Sequence, residues 1–250
     1  MVRRRDPRIK RHPMCAHSSW TSKCIPLSLH GDAVPCVGVG RSNTKSFDIY
    51  SMQGMLTDGW SKDVKIYLLG IFEASKAAGT MDAIWKVLIW SFEALASGVW
   101  PDKDHFGNRY RHGTIDYKRS GKPLAGGLKA ILWSLEADLD HLTKAYGLRH
   151  YGANALCEWC PADRSDRAPR RCDNFKKGAE WKSMLYTPET WRAIARDLPH
   201  RLFSLIYVTN ANVELDELHV IYLGTSAYMQ GSVLWSLCFE ILGGPPSENI

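Results

Sequence analysis

The chain has 250 residues, of which 45% are hydrophobic and 23% are charged. This composition supplies a buried core for one large domain and excludes an intrinsically disordered chain. No stretch reaches the roughly 18 consecutive apolar residues that a membrane span needs, so we expect no membrane insertion.

The positive charge is concentrated at the N-terminus. The formal net charge is +6, and residues 1–12 contribute +5 through six bases and one acid. A basic arm of this kind is typical of nucleic-acid binding or nuclear localisation, and equally of a solvated tail. We interpret residues 1–24 as a flexible loop and expect a nuclear protein. Secretion is not expected, because the segment lacks the apolar centre of a signal peptide.

The first half of the chain predicts strands followed by a helix. The predicted strands are Ile25–His30, Phe47–Met55 and Val64–Phe72. Ala33–Val39 contains proline and glycine and is interpreted as a turn or an irregular hairpin segment. From Thr80, apolar residues recur at spacings of three and four and predict a helix that ends at Gly98.

The second half predicts an exposed loop, further strands and helices, and one insertion. Residues 101–123 are polar and predict the loop. The elements expected after it are a strand at Leu128–Leu135, a helix at Leu139–Leu148, an insertion over 149–200 with a helix from Thr187 to about Leu198, a strand at Phe203–Val208 and a helix at Ala227–Leu242. Residues 25–148 thus follow the element order of the front half of an RNase H-like fold, and residues 201–250 would complete its core.

Two carboxylates stand at the ends of predicted strands. Asp32 follows the first strand, and Asp138 follows the fourth. A buried charge costs free energy unless it is offset, and a divalent metal would offset it. Oxygen ligands suit Mg²⁺ or Mn²⁺. The alternatives are a turn at Asp32 and a helix N-cap at Asp138, and Asp138 is favoured over Asp140, which points elsewhere on its helix.

The seven cysteines are scattered and do not indicate a disulfide framework. Cys157 and Cys160 form one CxxC pair, whose spacing favours Zn²⁺ over a chance pair of thiols. Two more ligands would be needed, and the candidates are Cys172, His150, His200 and His219. Asp216 and His219 are three residues apart, so they can coordinate a metal together or hydrogen-bond to each other; the alternative is a charged cap beside a surface histidine.

In this order, the motifs resemble the catalytic region of eukaryotic DDE/D transposases, particularly the CACTA and related cut-and-paste groups. The phrases HGDAVPCVGVG, ILWSLEADLDHL, CEWC and LDELHVIYLG also resemble transposon-derived open reading frames of dinoflagellate type. The resemblance covers residues 25–250. It implies an RNase H-like mixed sheet with flanking helices and a Cys-containing insertion. It also implies phosphoryl transfer on DNA, with Asp32 and Asp138 holding two Mg²⁺ or Mn²⁺ ions about 4 Å apart.

The chain departs from that family in three respects. The family carries a final Glu on a late helix, for which Glu240 is the first candidate here and Glu248 the second. The sequence stops just after Gly243-Gly244-Pro245-Pro246, which indicates a truncated domain. We also expect no separate DNA-binding domain before Asp32. We therefore expect weak DNA binding and little strand transfer. The alternative is a non-catalytic, zinc-stabilised module that binds nucleic acid or protein; the oligomeric state stays open.

Overall fold

The structure is a computed structural model that describes residues 9, 12–37, 45–150, 152–165, 170–174, 176–194, 200–217, 219, 221 and 226–244. It divides into two compact units, residues 1–214 and 215–250. Every base of the predicted N-terminal arm lies outside the described residues, as does Glu248.

A five-stranded mixed sheet forms the centre of the fold, in the order β3-β2-β1-β4-β5. The strands are β1 (Cys24–Val37), β2 (Lys45–Gly54), β3 (Ile66–Phe72), β4 (Lys129–Ala137) and β5 (Val213–Leu215). β2 pairs antiparallel with both β1 and β3, whereas β1 and β4 are parallel. The predicted α/β class with a mixed sheet and flanking helices is thereby confirmed.

Eight α-helices accompany the sheet within the described residues. They are α1 (Trp20–Lys23), α2 (Ser61–Val64), α3 (Thr80–Ser97), α4 (Ile115–Arg119), α5 (Leu139–Tyr146), α6 (Glu180–Ser183), α7 (Pro188–Ile194) and α8 (Ser226–Ser236), and α8 continues into a π-helical turn at Leu237–Ile241. None of the helices described is both long enough and apolar enough to cross a bilayer.

The main core lies between one face of the sheet and the helices α3 and α5. Leu29 of β1 and Leu135 of β4 are fully buried there, together with Trp85 of α3 and Tyr146 of α5. Ile131 points away from this core, because side chains alternate and its neighbour Leu132 belongs to the core. The register of β1 and β4 shifts between Leu132 and Ser134, so the alternation is reset before Leu135. Ile131 and Trp133 form a second, smaller cluster with Ile9.

β1 is longer than predicted. Of the two options for Ala33–Val39, the structure shows the irregular hairpin segment: the strand continues to Val37, and Val34 lies opposite Phe47 of β2. The ladder shifts register between Pro35 and Val37, beside the residue that lacks a backbone donor. Proline therefore interrupts the pairing without ending the strand.

The strand predicted at Phe203–Val208 is wrong. Arg201–Ser204 forms a 3₁₀ turn, and the last strand is Val213–Leu215. The Arg192 guanidinium donates to the carbonyls of Phe203, Leu205, Ile206 and Val208 at 2.6–3.2 Å, where a strand would have used a ladder. Periodicity cannot separate a buried apolar strand from a buried apolar turn.

Part of the predicted N-terminal loop is also ordered. Pro13–Ala16 forms a 3₁₀ turn and α1 follows it. His12 is buried against Trp133 and Tyr207, with ring centroids 5.6 and 5.5 Å apart. The loop expectation fails here because the segment packs on the outer face of the sheet.

Candidate active site at the edge of β1 and β4

The structure brings Asp32 and Asp138 to the same region of the sheet. On the parallel strands β1 and β4, His30 lies opposite Glu136. Asp32 lies two residues beyond His30, and Asp138 lies two residues beyond Glu136, directly after β4 ends. Both carboxylates also act electrostatically on the same imidazole, that of His141. Parallel pairing therefore makes neighbours of residues 106 positions apart.

Asp138 is held in a fixed orientation by α5. It is the N-cap of this helix, and its Oδ1 accepts a hydrogen bond from the His141 backbone N–H at 2.5 Å. The positive end of the helix dipole favours a carboxylate at this position. In the described part of the chain, Oδ2 has no hydrogen-bond partner, so one oxygen of an oriented carboxylate remains available to a ligand.

Asp32 has a different environment. It lies within β1, opposite Ile49 of β2, and not in a turn as the alternative interpretation supposed. Its side chain is half-buried and makes no hydrogen bond or ion pair with any described residue. A partly desolvated carboxylate without a partner costs free energy, and a bound cation would reduce this cost.

Gly31 sets the distance between β1 and α5. A Cβ at this position would lie 2.6 Å from His141 Nε2 and 2.9 Å from the Tyr146 hydroxyl oxygen. Both polar atoms are buried and find no hydrogen-bond partner among the described residues. Burial lowers the pKa of His141, and Asp48, Asp138 and Asp32 oppose that shift. The absence of a side chain at Gly31 thus allows α5, and with it Asp138, to approach β1.

A cleft of about 850 Å³ opens beside this edge. Its polar lining residues are Ser46, Asp48, Tyr50, Glu73, Lys76, Asp82, Asp138, Asp140, His141, Lys144 and His200. Asp32 does not line it, because pleating directs Asp32 to the sheet face opposite that of Asp48. Asp138, at the end of β4, is the one residue of the predicted pair that borders the cleft.

Sequence reasoning missed Asp48 and Glu136. Asp48 is 6% exposed and pairs with Lys76, which also binds Glu73. The Glu136 Oε1 accepts from the hydroxyls of Ser28 at 2.6 Å and Ser134 at 3.2 Å. Asp48 is a carboxylate inside a predicted strand, and this position was the available signal for its burial. Glu136 directly follows the predicted strand Leu128–Leu135 and is the penultimate residue of β4.

The cysteine pair lies in a segment with its own supports. Cys157 and Cys160 approach to 3.2 Å between their sulfur atoms, and burial together with the hydrogen bond that the Cys160 thiol donates to Cys157 Sγ raises the pKa of Cys160 to about 11. Among the residues that the structure describes, no three His, Cys, Asp or Glu side chains are arranged to hold a metal. The described residues thus supply two of the four ligands that zinc needs, and zinc at Cys157 and Cys160 stays a prediction.

The residues between the two cysteines have structural roles. Glu158 is 7% exposed; its Oε1 accepts from the Arg149 backbone N–H at 2.7 Å and its Oε2 from the Trp191 indole at 2.8 Å. The Trp159 indole donates to the Asn210 carbonyl at 3.1 Å, and the Asn210 amide donates to the Glu158 carbonyl at 3.0 Å. These bonds tie the segment to α7 and to the turn before β5.

The other predicted ligands are distributed elsewhere. The His200 ring packs edge-to-face against that of Trp85, with ring centroids 4.7 Å apart, and lines the cleft, so it does not join the cysteines. In the second unit, His219 Nδ1 and Asp216 Oδ2 are 2.5 Å apart, which is the hydrogen-bonded option. Glu240 is exposed on the π-helical turn of the same unit.

Comparison with known proteins adds no relative. No protein-family profile, no curated protein and no solved structure matches the chain. The function is therefore inferred from the residues and their geometry.

Proposed function

We propose that residues 1–214 carry a metal-dependent phosphoryl-transfer site of the DDE/D transposase type, which acts on DNA strands. The observation that carries the proposal is the placement of Asp32 and Asp138 on neighbouring parallel strands. Three antiparallel strands joined to a parallel fourth, in the order β3-β2-β1-β4, support an RNase H-like assignment. Glu240 remains the candidate for a third acid.

The two aspartates fit Mg²⁺ better than the cysteine pair fits zinc. Mg²⁺ is commonly bound through one or two carboxylates and keeps several waters, so two acids are enough for a weak site. Asp32 has no partner in the described structure, and Asp138 has one oxygen without a hydrogen bond. A bound Mg²⁺ or Mn²⁺ would polarise a phosphoryl oxygen and lower the pKa of a bound water.

The chain itself supplies the orientation. The cap on α5 holds the carboxylate of Asp138 in place, and Gly31 permits close packing of α5 on β1. Positioning of this kind provides much of the catalysis in phosphoryl transfer, since little covalent chemistry falls to the protein. Residues 1–214 supply two of the family's three acids, and a two-metal site with two carboxylates holds its second ion poorly, so we expect metal binding with little strand transfer by the purified chain.

Manganese binding is the direct test, measured by electron paramagnetic resonance on the full chain. Asp32→Asn and Asp138→Asn should each weaken Mn²⁺ binding by about 10- to 100-fold, since each removes one charged oxygen ligand. Asn also serves well as an N-cap, so Asp138→Asn should keep α5 intact. The matched control is Asp140→Asn, because Asp140 is exposed and paired with Lys144 at 2.8 Å.

Activity provides the second readout. Any Mg²⁺-dependent cleavage or joining of DNA should fall about a thousandfold in Asp32→Asn and in Asp138→Asn, because metal ligation stabilises several kcal/mol of transition-state charge. Glu240→Gln should abolish the same activity. Mn²⁺ binding or DNA cleavage that survives both aspartate changes would remove the basis of the proposal.

A non-catalytic binding module is the second candidate. It is favoured by the cleft itself, where the Lys76 ammonium already pairs with both Asp48 and Glu73 and leaves them less available to a metal. Among the described residues, no three His, Cys, Asp or Glu side chains form a group that could hold a metal ion. This function predicts nucleic-acid binding that is insensitive to Mn²⁺ and to Asp32→Asn, so the Mn²⁺ titration separates the two candidates.

A further inference from the structure

Residues 101–123, termed the basic platform below, carry a local excess of positive charge. They contain six Lys or Arg and three Asp, a net of +3. The whole chain is +6 and residues 1–12 hold +5, so the remaining residues outside the platform sum to −2. All six bases of the platform are exposed: Lys103, Arg109, Arg111, Lys118, Arg119 and Lys122.

The basic platform is ordered by hydrogen bonds and not by a core. Lys103 and Arg109 pair across a turn in which the Asp104 carboxylate accepts from the N–H of Phe106 at 2.9 Å and of Asn108 at 2.8 Å. Val99 and Pro123 pair at its base, and the Trp90 indole of α3 donates to the Lys103 carbonyl at 2.9 Å. The exposed charges are therefore carried on a pre-organised backbone.

Two aromatic rings are exposed among these charges. Phe106 is 65% exposed and Tyr117 is 46% exposed. The Lys86 ammonium lies 5.2 Å from the centroid of the Phe106 ring, and the His112 ring lies 4.8 Å from that of Tyr117. Exposed rings beside cations are the combination that binds single strands, because bases stack on the rings while cations contact phosphates.

The basic platform also lies on a path to the cleft. Lys86, which contacts Phe106, and Asp82, which lines the cleft, are four residues apart on α3. They share one face of that helix and are separated by about 6 Å of helical rise. A nucleic-acid strand held at Phe106 therefore lies about one turn of α3 from the cleft that Asp138 borders.

We infer that the basic platform binds single-stranded nucleic acid, with phosphates on its Lys and Arg side chains and bases stacked on Phe106 and Tyr117. Delivery of that strand to Asp32 and Asp138 rests on the proposed function, whereas binding to the platform does not. Exposed rings favour a single strand over a duplex, whose bases are already stacked on one another.

The experiment measures the affinity of the full chain for a fluorescein-labelled 20-nucleotide oligo(dT) in EDTA. Binding is followed by fluorescence anisotropy at several salt concentrations. The variant Lys103→Gln, Lys118→Gln, Lys122→Gln should bind at least tenfold more weakly. Its slope of log K against log salt should fall by about 2, since each phosphate contact on a single strand contributes about 0.7. The control Lys23→Gln, Lys62→Gln, Lys177→Gln removes the same charge from exposed lysines elsewhere and should bind within about threefold of the parent.

The aromatic contribution is tested separately. Phe106→Leu and Tyr117→Leu should each weaken binding by about 5- to 100-fold, the range measured for loss of one stacked base, with the salt slope unchanged. Far-UV circular dichroism checks that each variant is folded. Equal losses in the two lysine variants, parent-like binding by both ring variants, or equal competition by poly(Glu) would each overturn the inference.

Failure of the platform and failure of the active site remain distinguishable. Oligo(dT) binding is measured in EDTA, where no metal takes part, and Mn²⁺ binding is measured without DNA. Absence of Mn²⁺ binding by the parent chain, alongside oligo(dT) binding that depends on the platform, would refute the active site alone. Mn²⁺ binding by the parent chain, with no loss of oligo(dT) binding in the platform lysine and ring variants, would refute the platform alone.

Discussion

The carboxylate of Glu158 and those of Asp32 and Asp138 lie in the same unit, but their surroundings differ. Both oxygens of Glu158 accept hydrogen bonds, from Arg149 and Trp191, and the side chain is 7% exposed. Asp138 uses one oxygen for a helix cap, and Asp32 uses neither within the described structure. A satisfied buried carboxylate is a structural element, whereas an unsatisfied one is available to a ligand.

This contrast favours a ligand site at the two aspartates over one at the cysteine pair. The CxxC motif predicts a metal that orders a polar insertion, yet Glu158 and Trp159 already fasten that insertion through side-chain bonds. No comparable hydrogen bond joins Asp32 and Asp138 in the described structure. We therefore expect mutations at Glu158 to change stability and mutations at Asp32 to change ligand binding.

The largest effect on stability is expected for Glu158→Ala. It leaves the buried Trp191 indole and the Arg149 N–H without their acceptor, at about 1–3 kcal/mol each, so the free energy of unfolding should fall by about 3 kcal/mol or more. Urea unfolding gives the value. Asp32→Asn is the matched comparison and should change it by less than about 0.5 kcal/mol. Equal losses in both variants would mean that the two carboxylates do not differ in role.

Gly31→Ala should destabilise the fold by about 1–3 kcal/mol, because the new Cβ overlaps His141 Nε2 and the Tyr146 hydroxyl. The same change should weaken Mn²⁺ binding by displacing α5. Gly178→Ala is the control, since nothing lies within 4 Å of its added Cβ. Parental stability and Mn²⁺ affinity in Gly31→Ala would show that close packing of α5 does not position Asp138.

A smaller, pH-dependent effect is expected from His200. Burial lowers the pKa of His200 from 6.5 to about 4, so the unfolded chain binds a proton that the folded chain does not. Its contribution is complete above pH 6.5 and is lost as the pH falls toward 4, about 2 kcal/mol between pH 7 and pH 5. His200→Asn keeps an acceptor for the Leu202 N–H and should flatten this part of the stability profile. If the unfolding free energy of His200→Asn falls with pH as steeply as that of the parent, other histidines cause this pH dependence.

The smallest effect is expected at the cysteine pair. We predict one equivalent of zinc per chain, lost in Cys157→Ser, with a change in unfolding free energy of about 1 kcal/mol or less because Glu158 and Trp159 hold the segment. Elemental analysis and urea unfolding are the measurements. A metal-free parent would reject zinc, and a loss of several kcal/mol in the variant would show that the metal, and not Glu158, orders the insertion.

Local patterns predicted α3, β2, β3 and β4 to within a few residues, and they placed Asp138 at a helix N-cap. Each depends on short-range chemistry, namely apolar periodicity, β-branched runs or a side-chain cap. They left the continuation of β1 past Pro35 open and did not predict the turn at Arg201–Ser204. Those outcomes depend on partners distant in the chain, β2 in one case and Arg192 in the other.

The candidate site shows the same division. Two acids at strand ends and their order along the chain are legible in the sequence, because strand and cap signals are local. Parallel pairing of β1 with β4, the packing across Gly31, and the pairing of Asp48 with Lys76 are not. Each of these brings together residues separated by tens of positions. Which carboxylates find a partner, and which remain available to a ligand, was therefore decided only when the chain folded.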